Sequence, residues 1–67
     1  MTPPEFLVAS GLPPTEGAKL IARVCNVCQS AVWYWLAGER KWKPCHEKLL
    51  QIYSECTDAQ RATWWPQ

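Results

Sequence analysis

Chain-breaking residues at Gly11, Pro13-Pro14, Asn26, Gly38 and Pro44 divide this chain into short segments, and that punctuation constrains the fold more than any other feature. Within the segments, apolar residues recur every three or four positions, the period of a helix buried on one face. No Asn-Gly or Asp-Gly pair offers a hairpin turn, and no internal repeat is present. The pattern predicts an all-α fold of four to five short helices.

Thr2-Pro3-Pro4-Glu5 has the form of a capping box, so a first helix should start there and run to about Ser10, where Gly11 stops it. Pro13-Pro14 makes a rigid link, and Thr15 is the expected cap of a second helix with Ala18, Ile21, Ala22 and Cys25 as its buried stripe. That helix should end at Cys25-Asn26-Val27, because asparagine accepts the left-handed conformation more readily than most side chains. A third helix should begin near Cys28, bury Val32, Trp35 and Leu36, and stop at Gly38. Pro44 suits the first turn of a fourth helix, with Leu49, Ile52, Tyr53 and Cys56 at helical spacing. Thr57-Asp58 then caps a last short turn before Trp64-Trp65-Pro66.

A chain of 67 residues makes one domain, 1–67, and buries only roughly 60% of the surface its unfolded form exposes. A deep enzyme cleft is not expected, nor is a small-molecule substrate or a cofactor. Five tryptophans exceed what one small core needs, so some should meet a partner at the surface. The formal charge is only +1, but Arg40, Lys41 and Lys43 make a local basic patch. No run approaches the ~20 apolar residues of a membrane span, and the amino end lacks a signal-peptide pattern. The expectation is a soluble cytoplasmic protein whose four cysteines are free thiols or metal ligands.

The segment from Ala18 to Leu36 carries the functional signal. Two short helices with the small Ala22 in the first, Asn26 in the turn, Val27 as its plug, and Val32 and Trp35 as anchors meet the packing needs of a helix-turn-helix. Gln29, Ser30, Trp33 and Tyr34 are then left outside, near the end that such proteins insert into the major groove. Lys19 and Arg23 on the second helix and Arg40, Lys41 and Lys43 after the third are the candidate phosphate contacts. Arg40, Lys41 and Lys43 are equally compatible with a solvated loop, and exposed helix faces carry residues such as Lys19 and Arg23 whether or not they meet a backbone.

The run Asn26-Val27-Cys28-Gln29-Ser30-Ala31-Val32 resembles the Cro repressors of temperate phages, in which Gly-Val-x-Gln-Ser-Ala-Ile/Val links the two helices. Trp33-Tyr34-Trp35-Leu36, Lys43-Pro44 and Trp65-Pro66 are similar to a branch often called YdaS-like or Cro-like. Specific matching covers less than a third of the chain. The resemblance implies a lambda-repressor/Cro-like fold, sequence-specific binding of double-stranded DNA, transcriptional repression, a homodimer, and a bacterial host cell. It places Gln29 and Ser30 at base- or phosphate-contacting positions, whereas Trp33 and Tyr34 replace the polar readers of better-known members. Asn26 stands where the family prefers Gly, and Cys28 where Ser or Thr would cap the helix.

Two other classes have sequence support. Trp33 and Tyr34 are suitable anchors for a protein partner, as are Trp64 and Trp65, which otherwise belong to the core. Cys25-x-x-Cys28, Cys45-His46 and Cys56 contain the donors for a zinc site. Against zinc, Cys25 falls on the buried stripe, adjacent Cys45 and His46 point about 100° apart on a helix, and a second CxxC is missing. Cys45 and His46 lack an orienting third group for catalysis, so no enzyme activity is expected.

Overall fold

The computed structural model describes residues Met1 to Pro66 and is all-helical, with five short helices and, among the described residues, no strand. They are α1 (Pro3–Ser10), α2 (Pro14–Cys25), α3 (Gln29–Leu36), α4 (Pro44–Glu55) and α5 (Asp58–Trp64). α2 is the central element, packed against α1, α3 and α4. Ala18, Ile21, Val24 and Cys25 of α2 meet Val32 and Trp35 of α3 in one buried cluster, which Phe6 and Leu50 close from either side. None of these helices is long and apolar enough to cross a membrane.

Local chemistry sets the helix ends. Thr2 accepts the Glu5 N–H at 3.3 Å, and the Glu5 carboxylate accepts the Thr2 N–H at 3.1 Å, which completes the expected capping box. The hydrogen bonds from Thr2 hold the Glu5 carboxyl below its ordinary range. α2 differs from expectation, since it begins at Pro14 and Thr15 lies inside its first turn. A residue before proline is pushed out of the helical region, so Pro13 takes ψ 152° and occupies the cap position with no side-chain bond to give. The Gly17 N–H closes that turn onto the Pro13 carbonyl at 2.8 Å. Gly17 is buried under Leu7, whose terminal methyl occupies the space that a Cβ would need.

Asn26 is left-handed, φ 56°, and two bonds close the end of α2: Val27 N–H to the Ala22 carbonyl at 3.0 Å and Asn26 N–H to that of Arg23 at 3.4 Å. Gly38, φ 78°, repeats the device after α3, with Glu39 N–H donating to Tyr34 at 2.9 Å and Gly38 N–H to Trp35 at 3.2 Å. These two turns orient α3 against α2 and then return the chain towards α4.

α4 starts at Pro44 as expected, but its buried face is rotated from the anticipated stripe. Leu50 is fully buried, with Leu49 and Tyr53 half-buried beside it, whereas Ile52 is 50% exposed. Cys56 lies just past the helix. Apolar residues at both 49–50 and 52–53 fit two stripes of the same period, and docking on α2 selects the one centred on Leu50. Thr57 and Gln60 form a second capping box at α5. Arg61 then lies 4.4 Å over the Tyr53 ring and donates to the Tyr53 and Ser54 carbonyls, satisfying two acceptors at the end of α4. The two carboxyl-terminal tryptophans part company. Trp65 donates its indole N–H to the Val24 carbonyl at 3.1 Å and meets Tyr53 edge-on, whereas Trp64 is 73% exposed.

His46 gives the domain a pH dependence. Its Nδ1 accepts the Lys43 N–H at 3.2 Å and its ring lies 4.8 Å from Trp35, an arrangement that requires the neutral imidazole. Burial, and then the Lys43 charge, hold its pKa below 6.5. The unfolded chain therefore binds the proton more readily, so this stabilisation is complete above pH 6.5 and is lost as pH falls through the folded-state value. The thermal midpoint should fall on acidification through that window, and His46→Gln should flatten the slope there. An unchanged slope would remove His46 as its source. Glu5 contributes separately and at lower pH, its share being lost as pH drops below 4.5.

Candidate nucleic-acid interface

Burying Val32 and Trp35 fixes which way α3 faces. Ala31 and Leu36 flank them half-buried, so the opposite side of the helix carries Gln29, Ser30, Trp33 and Tyr34, all exposed. Residues four apart lie above one another on a helix, so Gln29 stands over Trp33 and Ser30 over Tyr34. Trp33 is 42% and Tyr34 39% exposed, so neither is a core residue. Cys28 precedes the helix in an extended conformation and makes no capping bond through its thiol.

The cations divide into two groups. Lys19 and Arg23 of α2 line a shallow groove with Leu12, Glu16, Leu20 and Gln29, which places them on the side where α3 begins. Lys19 lies 3.6 Å from Glu16 in a solvent-exposed pair that constrains it little. Arg23 has no ion pair among the described residues. At the other end of α3, the Arg40 guanidinium lies 4.4 Å over the Tyr34 ring. The left-handed Gly38 makes this possible by folding the link back, so that Arg40 N–H also reaches the Tyr34 carbonyl at 3.3 Å. Lys41 and Lys43 are exposed in the same link. Trp42 between them donates to Glu47 at 2.8 Å and pins the link to α4.

Gln29, Ser30, Trp33, Tyr34 and the five cations are the residues expected from sequence; the Tyr34–Arg40 stack and the Trp42–Glu47 bond were not. The signal for the stack was the glycine two residues before Arg40, which reverses the chain.

The cysteines are all free thiols. Cys25 is buried, its Sγ 3.8 Å from the His46 carbonyl, and burial, followed by the proximity of Cys45, pushes its pKa up to about 11. Such a thiol behaves as a small hydrophobe. Among the described residues no three side chains of metal-binding type come together.

The surface thus offers a polar and aromatic helix face with two arginines and a lysine at its ends. Comparison of the chain with models of known families, with curated proteins and with solved structures finds no match.

Proposed function

We propose that the protein binds duplex DNA through α3 and represses transcription by occupying an operator. The observation that carries this reading is the outward face of α3, where Gln29 and Ser30 stand at the amino end beside Arg23 and Lys19 while Val32 and Trp35 anchor the opposite side. A helix held in this way presents hydrogen-bonding side chains to base edges, and flanking cations meet the phosphates on either side of a groove. Lys19, Arg23 and Arg40 are the phosphate contacts best placed for this, with Lys41 and Lys43 further out. A homodimer would set two such helices ~34 Å apart on a two-fold site.

The test is a gel-shift titration across salt concentrations with Gln29→Ala alongside the parent. Binding should weaken as salt rises, and loss of each phosphate-contacting cation should reduce the slope of log K against log salt by ~1. Gln29→Ala should cost ~1–3 kcal/mol and relax preference at one base pair. An unchanged profile would mean that α3 is not the reader. The exposed Trp33–Tyr34 pair favours a second reading, a protein-docking module on the same fold, for which affinity would not fall with salt.

A further inference from the structure

Resting on the duplex-DNA reading above, we infer that α3 reads A·T base pairs, with Trp33 as a detector of the thymine C5-methyl group. The helix lacks the side chains that read G·C pairs. Guanine is most often read by a bidentate Arg or Lys, and cytosine by a carboxylate accepting from its amino group. From Gln29 to Leu36 there is no charged side chain of either sign. The cations of this surface sit on α2 and in the link, where backbone phosphates lie. Of the nearby carboxylates, Glu16 is paired with Lys19, and Glu39 lies beyond the end of the helix.

The two exposed aromatic residues of α3 differ in their surroundings. Tyr34 has Arg40 over its ring, so the pair offers a hydroxyl and a guanidinium together, the chemistry of a phosphate contact. Trp33, 42% exposed, has no stacked ring, no cation and no hydrogen-bond partner for its indole among the described residues. An indole has one donor, no acceptor and a broad apolar face. Thymine alone among the bases presents a methyl group in the major groove. Gln29, one turn earlier on the same face, carries the amide that pairs bidentately with adenine. Four residues advance ~6 Å along the helix, so the two side chains reach different, neighbouring base pairs, both A·T.

The experiment is a binding-site selection from random duplexes at low salt, followed by deoxyuridine substitution of single thymines in the selected duplex. The expected outcome is an enriched A·T core containing one position where removal of the methyl weakens binding about fourfold. That is the ~0.8 kcal/mol of one buried carbon at ~1.4 kcal/mol per tenfold. Trp33→Gln should lose sensitivity at that position alone. Because the substitution is made in the DNA, misfolding of a variant cannot mimic the result. Salt-dependent binding with a G·C core, or with no uridine-sensitive position, or with sensitivity retained in Trp33→Gln, would overturn the inference and leave the DNA reading standing. Absence of any salt-dependent binding to duplex would overturn both.

Discussion

Trp35→Ala should remove most of the domain's stability. The side chain is 6% exposed in the last turn of α3, packs with Val32 against α2, and places its ring 4.8 Å from His46 at the start of α4. Truncating a buried large aromatic typically costs ~3–5 kcal/mol. At ~0.05–0.15 kcal/mol per residue, a chain of this length has roughly 3–10 kcal/mol in total. The loss therefore consumes much of the stability, and the thermal transition followed by far-UV circular dichroism should broaden or disappear. A cooperative transition within a few degrees of the parent's would sink the assignment of Trp35 to the core.

Set beside Gln29→Ala, the same substitution separates support of α3 from the reading proposed for it. Trp35 holds α3 from behind, so its loss should remove DNA binding together with the fold. Gln29 is exposed and, among the described residues, its side chain makes no hydrogen bond, so Gln29→Ala should weaken the proposed binding while the melt is unchanged. The third helix is thus divided between a face that stabilises the domain and a face that is free to be spent on a ligand.

Helix ends and the orientation of α3 were legible because each depends on chemistry local in sequence. Thr2 and Thr57 cap through side chains three residues away, and Asn26 and Gly38 turn the chain because the left-handed conformation is open to them. α3 is apolar or aromatic from Ala31 to Leu36, and its phase was legible because the small Ala22 and the turn at Asn26-Val27 set Val32 and Trp35 as the anchors. One miss was itself local, a competition between neighbouring residues, and the others depend on partners that only the folded chain brings together. The anticipated cap at Thr15 lost to Pro14, whose ring is already set for a first helical turn and which forces Pro13 out of it. Trp65 packs because the Val24 carbonyl, far away in sequence, accepts its N–H, whereas neighbouring Trp64 is left 73% exposed. The candidate reading residues could be named from sequence, but the arrangement of Arg40 on Tyr34 needed the reversal at Gly38 to be seen in three dimensions.

The phase of α4 gives the second large effect. Leu50 is completely buried between α2 and α1, so Leu50→Ala should cost ~2–5 kcal/mol, or a midpoint lower by ~4–8 °C for each of those kilocalories. Ile52, apolar and only two residues on, is half exposed, and Ile52→Ala should cost about 1 kcal/mol. Two residues turn a helix by ~200°, which sets these side chains on nearly opposite faces. Hydrophobicity alone ranks them equally, so the contrast isolates the docking of α4 on α2. Paired thermal melts of the two variants decide the matter: equal losses, or a larger loss at Ile52, would mean that α4 is rotated from the orientation that brings His46 to Trp35 and Tyr53 to Phe6. With that rotation the support behind α3 would have to be rebuilt from other residues.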